Sequence, residues 1–428
     1  MTELKEISKP ECLSAILKAV NQDGMLLQHI PNQTEEICLA AVKQDYRALQ
    51  FVKQQTREIC LAAVHRNGEV LQYVNEQAIG PDHYADVCIA AVKEDRRALQ
   101  YVKQQTPEIC LAAVQYAGDA LQYINENIFD KNQYYEICLA AAGSGNSIQY
   151  VNEKMLTPGQ FSAICLAAAR EDRDALQYIR QQTTDICMAA VRKNGRALQY
   201  ISDKIINSDL YADICLAAVC DSGSLQYVKE KALAVDQYFD VCKKAIQTGR
   251  RLNDIFVFIN KQVFNENQYY EICLIAVNRD GDIIKRIEKQ TPEICLAAVR
   301  QSGNALQYIE NQTPEICLAA VYNDPLAIEY VKDQTESICM AAVRRYDSRQ
   351  DRRFNGDGPL PYIRNQSDSV CLASVETRGC SLEFVGRQTP EICLAAVKQD
   401  GTALRFVREQ TPEICLAAED PPGATWII

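Results

Sequence analysis

The chain has 428 residues, 47% of them apolar, with only 14 prolines and 18 glycines, which supports a large buried core and excludes a disordered chain. Its 45 basic and 56 acidic residues give a formal charge of −11, disfavouring broad attachment to a phosphate backbone or an anionic membrane while leaving local basic patches open. No apolar run approaches the ~18 to 20 residues of a membrane span, and the start, Met-Thr-Glu-Leu-Lys-Glu, has no basic region followed by an apolar stretch, so neither anchor nor signal peptide is expected.

From Ile16 onward the chain repeats itself, with a basic unit of 22 residues. The clearest copies are TPEICLAAVRQSGNALQYIENQ from Thr291 and TPEICLAAVKQDGTALRFVREQ from Thr389. Ile16 fills the key slot of the first unit, and cysteines fill it afterwards at 38, 60, 88, 110, 138, 165, 187, 215, 242, 273, 295, 317, 339, 371, 393 and 415. Cys12, Cys220 and Cys380 lie outside the register.

Each unit reads as two helices. In Thr313-Pro314-Glu315 the threonine caps, proline at the first helical position presets φ, and glutamate complements the helix dipole; the next residue, Ile316, precludes a capping box. The following Ile-Cys-Leu-Ala-Ala-Val run is apolar nearly all round and predicts a first helix buried between neighbours. Asn67-Gly68, Asn194-Gly195, Asp280-Gly281, Ser302-Gly303 and Asp400-Gly401 then predict a stop with glycine in the left-handed conformation. A short second helix follows, in which Leu99 and Val102 share a packed face beside Ala98 and Tyr101 while Gln100, Lys103 and Gln104 point away.

From Cys38 to Cys242 the steps run 22, 28, 22, 28, 27, 22, 28 and 27 residues, and most later steps are 22. The extra residues precede the first helix, predicting a longer second helix and caps at Asp82, Asn132, Asp209, Asp236 and Asn267. Two sub-regions are expected, 1–242 with alternating lengths and 243–428 with mainly 22-residue units, joining near 243–270. Helices this short are marginal alone, so stacking is obligatory. The expected fold is all-α, an α-solenoid (superhelix) of about seventeen helix-turn-helix repeats of 22 to 32 residues.

The TPEICLAAV…DG.ALQYV unit, over residues ~10 to 418, resembles a domain-of-unknown-function repeat family found in secreted effectors of intracellular bacterial pathogens and in amoeba-infecting giant viruses. The resemblance implies a helical repeat fold and a host-directed protein, and it brings no catalytic residues to carry over.

The register cysteines lack the close C-x₂₋₄-C spacing of a zinc site, and neighbouring slots at ~9 to 10 Å exceed disulfide reach, so buried free thiols are expected. His29, His65 and His83 share no repeat position, so no Cys–His pair is visible; catalytic residues, metal and cofactor are all expected to be none. Gln28, Gln50, Gln72, Gln100, Gln122, Gln149, Gln177, Gln199 and Gln226 share one slot of the second helix; later units carry Val257, Lys285, Gln307, Glu329, Pro361, Glu383 and Arg405 there. Two readings stay open for the slot, an amide ladder bonding adjacent helix ends or a ligand-facing stripe, with Gln100 and Gln122 as its representatives.

Between Cys339 and Cys371 the step is 32 residues, an insertion centred on 347–358. It carries Arg344, Arg345, Arg349, Arg352 and Arg353 beside Tyr346 and Phe354, a combination suited to carboxylates or phosphates; a tolerated loop is the plain alternative. Tyr346, Arg349, Arg352, Arg353 and Phe354 are the candidate partner contacts. The tail Glu419–Ile428 breaks the repeat and is expected to cap the last apolar face. The leading functional expectation is a cytoplasmic protein-interaction scaffold, in the host cytosol if the chain is an effector, whose protein partner is acidic or phosphorylated where it meets the Arg-rich loop. An enzyme with its pocket at the superhelix interior or that loop, and an RNA-binding repeat, are the alternatives; nucleic acid is disfavoured by the missing basic stripe.

Overall fold

The computed structural model describes residues 10–144, 146–220, 223–346 and 358–419, and every element among them is helical. The chain divides into two compact units, Met1–Ala218 with Tyr227–Ala232, and Val219–Gln226 with Leu233–Ile428. Within each unit the first helices of successive repeats pack side by side, and most second helices touch the second helices before and after them. Each unit is thus a stack of two-helix repeats, an α-solenoid.

The first helix of a 22-residue repeat is α-helical, as in Pro107–Tyr116 and Pro314–Asn323. Thr106 and Thr313 cap these helices by accepting from the amides of Ile109 and Ile316. Ile109, Cys110, Ala113 and Val114 are buried on the inner face, while Leu111 and Ala112 remain half-buried. The second helix is a 3₁₀ helix of six residues, as in Gly118–Tyr123 and Gly303–Tyr308, the tighter form that suits a single packed turn or two. Asp45, Asp95, Asn194, Asp280, Asp324 and Asp400 end the first helix and cap the second with their side chains, and Asn67 caps the second helix of its repeat two residues after His65 has ended the first.

The turn glycines differ from expectation. Among the described residues positive φ occurs only at Gly80, Gly223, Gly358 and Asn146, so Gly68 and Gly281 are not left-handed caps. They start the second helix, where a Cβ would sit 2.3 Å from the Ala91 carbonyl oxygen and 2.4 Å from that of Ala298 in the next repeat. Glycine there allows close approach between repeats rather than a change of backbone hand.

The long repeats also depart from the sequence reading. Their extra residues do not lengthen the second helix; they form a separate short element, such as Glu76–Ile79, Glu126–Ile128 or Lys261–Val263, and extend the first helix to Pro81–Glu94, Pro158–Glu171 or Glu266–Arg279. The residues preceding these helices are Gly80, Asp130, Thr157, Ala234 and Asn265, not Asp82, Asn132, Asp236 or Asn267; Asp209 likewise starts no helix, the element there being Tyr211–Ala218. Two residues of the expected loop are helical because the first turn closes a capping box at Asp130/Gln133, Thr157/Gln160 and Asn265/Gln268, a motif legible as [DTN]-x-x-Q.

Candidate functional site

The repeats are fastened by an amide ladder, but not by the glutamines expected to make it. Gln105, just before the capping Thr106, donates from Nε2 to the carbonyls of Leu99 (3.2 Å) and Tyr123 (2.8 Å), and its Oε1 accepts from the amide of Asn125 (2.9 Å). Gln312 makes the same three bonds, to Leu306, Tyr330 and Lys332, at 3.2, 3.0 and 2.9 Å. Gln33, Gln290, Gln366 and Gln388 repeat the pattern. One half-buried side chain thereby satisfies three backbone groups at the end of two second helices.

In long repeats the glutamine at this place, where there is one (Gln133, Gln160, Gln237 and Gln268), accepts from the amide of its own helix's N-cap residue instead, and in several of them a buried tyrosine one residue later in the register takes over the next amide. The hydroxyls of Tyr134 and Tyr211 accept from the amides of Asn152 and Lys229, both at 2.9 Å, and that of Tyr238 accepts from Asn260 at 3.1 Å. Burial pushes the phenols of Tyr84, Tyr134, Tyr211 and Tyr269 above the ordinary range.

The register cysteines Cys38 to Cys393 are buried free thiols, and Cys415 is half-buried. Burial pushes Cys60, Cys110 and Cys165 up to about 12, and Cys187 and Cys295 up to about 11, so they carry no thiolate near neutrality. In several repeats the thiol donates weakly to the ladder amide, as Cys317 does to Gln312 Oε1 at 3.7 Å. Among the described residues no group of three or more metal-ligating side chains gathers, and no helix is long and apolar enough to cross a membrane.

With the backbone satisfied elsewhere, the other glutamine slot has no bridging duty. Gln28, Gln50, Gln72, Gln100, Gln122, Gln149, Gln177 and Gln199 of the first unit, and Gln226 of the second, are all exposed. Where their amides bond, they bond within their own turn: Gln50 Nε2 donates to the Arg47 carbonyl, Gln72 to Glu69, Gln122 to Asp119 and Gln149 to Asn146, at 2.9 to 3.1 Å. The ladder reading of Gln100 and Gln122 is therefore corrected. This local bond pins one N–H and leaves the amide oxygen and the second N–H free.

The residue after each exposed glutamine from Gln50 onward completes the site, and the sequence reading missed it. Phe51, Tyr73, Tyr101, Tyr123, Tyr150, Tyr178, Tyr200 and Tyr227 follow in register, half-buried or, for Tyr73 and Tyr150, exposed at 38% and 37%. Their repetition beside glutamine was visible in the sequence. Several flanking charges are paired, Arg47 with Asp45 (2.6 Å), Arg96 with Asp119 (3.0 Å) and Arg97 with Glu69 (3.4 Å), whereas Arg196 in the same register makes no ion pair among the described residues.

At the insertion, Arg344 and Arg345 are exposed at the end of helix Glu336–Arg345, and the Arg345 guanidinium lies 5.3 Å from the Tyr322 ring centre. Tyr346 is buried, with Gly358 against its ring. Arg349, Arg352, Arg353 and Phe354 lie outside the described residues, as does the tail from residue 420 onward.

Fold and surface together define an all-α tandem-repeat protein whose first unit carries a glutamine–aromatic stripe. Residues 15–55, 34–77, 269–313 and 292–335 are similar to a family described as "Domain of unknown function (DUF4116)". Each match spans about two repeats, and overlapping matches start one repeat apart. They fall mainly on 22-residue repeats, and residues 78–268 and those after 335, which contain both long and 22-residue repeats, are unmatched. A search of curated proteins finds no match to the chain.

Proposed function

We propose that the protein is a protein-interaction scaffold whose first unit holds a partner on the exposed glutamine–aromatic stripe. The observation that carries this reading is the stripe itself: seven successive repeats of the first unit, Gln50 to Gln199, expose the same amide beside an aromatic ring, and the amide is not needed for stacking, because other side chains satisfy the backbone. Aromatic rings and pinned amides bring contact area at low entropic cost, the composition of many binding surfaces.

The protonated thiols and the separated histidines support a non-enzymatic role, and the free cysteines suit a reducing cytosol, in a host cell if the effector resemblance holds. The Arg-rich segment at 344–353 is proposed as a second contact, for an acidic or phosphorylated part of the partner. Exposed Arg344 and Arg345 support it.

The test uses the full chain, native and with Gln72→Glu, Gln100→Glu and Gln122→Glu together, immobilised under reducing conditions. Glu329 and Glu383 occupy the same slot in the second unit, so the variant is expected to fold. Proteins retained by the native chain and lost from the variant, at equal helicity and Tm, support the reading. Equal retention by both overturns the stripe as the partner surface.

A further inference from the structure

We infer that the glutamine–aromatic stripe receives a neutral, proline-rich segment in the polyproline II conformation; this deepens the scaffold reading and rests on it. The first argument is the period. The stripe repeats with the stacked first helices, which pack ~8 to 10 Å apart. A polyproline II helix has three residues per turn and rises about 9.3 Å per turn, so one face of the ligand meets the same glutamine–aromatic pair in each successive repeat. A β-strand, with its two-residue side-chain period of roughly 6.6 Å, falls out of step after one repeat.

The second argument is chemical. Polyproline II has no internal hydrogen bonds, so its carbonyls are free acceptors, and each pinned glutamine keeps one N–H free to donate to them. Proline carries no N–H and asks for no acceptor in return. Pyrrolidine rings pack on exposed aromatic faces, the recurrent mode by which proline-rich segments are held. Tyr73, Tyr101, Tyr123 and Tyr150 make no side-chain hydrogen bond among the described residues, so their hydroxyls are uncommitted, and each ring keeps part of its surface open to solvent.

The third argument is charge. The stripe slot holds no ionised side chain in the first unit, and the flanking Arg47, Arg96 and Arg97 are each held by a carboxylate, so the uncompensated Arg196 does not extend into a row. A single-stranded nucleic acid, with one phosphate per residue, needs uncompensated cations along such a row. A neutral ligand needs none.

Fluorescence anisotropy on the full chain under reducing conditions tests the inference, with a labelled oligoproline of about twelve residues, a glycine–serine peptide of equal length and an oligouridylate as probes. Oligoproline is expected to bind at least roughly tenfold more tightly than the glycine–serine peptide, with affinity rising as the peptide lengthens by whole turns. Salt raised from about 50 to about 300 mM should change it less than twofold. Gln100→Ala with Gln122→Ala should weaken binding roughly tenfold, as loss of two donors implies. Oligoproline binding no better than glycine–serine, or a salt-sensitive preference for oligouridylate, overturns the inference. If oligoproline fails while the glutamate variant still loses its protein partner, the scaffold reading stands and only the proline-rich assignment falls.

Discussion

In the first unit the exposed slot of the second helix holds glutamine eight times in succession; in the second unit the same exposed slot holds Gln226, Val257, Lys285, Gln307, Glu329, Pro361, Glu383 and Arg405. The half-buried glutamine before the cap behaves in the opposite way. It makes the same three bonds at Gln105 in the first unit and at Gln312 in the second, and where it is absent or turned to the helix cap, as at Leu210 and Gln133, a tyrosine hydroxyl takes over the amide bond. The repeats are thus an internal substitution experiment. A position that changes only to another group making the same bond is structural, and one that accepts valine, proline and both charges in one unit is held constant in the other for a reason outside the fold.

The largest expected effect sharpens this contrast through alkaline pH. Burial raises the folded-state ionisation of the core thiols from 9.0 to about 12 at Cys60, Cys88, Cys110, Cys138, Cys165 and Cys215 of the first unit, and that of Tyr84, Tyr134 and Tyr211 rises too. In the second unit Cys242 is pushed to about 12, and Cys273 and Cys295 to about 11. The unfolded chain ionises first, so this stability is fully present below pH ~9 and is lost as pH rises toward the folded values. We expect Tm to fall by more than about 10 °C between about pH 8 and about pH 10.5, with the first unit opening before the second in hydrogen exchange. A flat profile over that range breaks the account of buried thiols.

Removing the ladder should cost the same in both units. Gln105→Ala and Gln312→Ala each leave two carbonyls and one amide without their partner, and each should lower stability by roughly 2 to 4 kcal/mol in chemical denaturation. Tyr134→Phe removes one acceptor from the Asn152 amide and should cost about 1 to 2 kcal/mol. Phe161 already fills the tyrosine position of its own repeat, which shows that the ring alone packs acceptably there. Unequal losses at Gln105 and Gln312 would mean that the two units are not held by one device.

The repeat period, the threonine and proline start signals and the buried face Ile-Cys-Ala-Val were legible because local chemistry alone determines them. The turn glycines were misread because their reason is a contact with the next repeat: the clash at Gly68 comes from Ala91, 23 positions away, and no local rule contains it. The caps of the long repeats were misplaced for a related reason, since the polar residues Asp82, Asn132 and Asn267 compete with equally good candidates two positions earlier. The two glutamine slots were confused because sequence shows recurrence but not exposure. Only their partners separate Gln105 from Gln100, and the aromatic beside Gln100 passed for core because half of it is.

The smallest expected effect is the most discriminating. Replacing Gln100 and Gln122 together by alanine takes away two exposed amides, of which Gln122 bonds only the Asp119 carbonyl three residues before it. That bond competes with water, and alanine is the better helix former, so the two contributions nearly cancel. We expect stability within about 0.5 kcal/mol of the native chain. The equivalent change in the second unit, Glu329→Ala with Glu383→Ala, should be equally silent in stability. The pairs should part only in binding: a partner captured on the first unit should be weakened by the Gln100 and Gln122 changes and indifferent to those at Glu329 and Glu383. A loss of 1 kcal/mol or more from the glutamine pair alone would return these side chains to the fold, because an amide whose removal destabilises the free chain is fastening repeats. Silence in stability together with selective loss of binding is the pattern that only a recognition stripe produces.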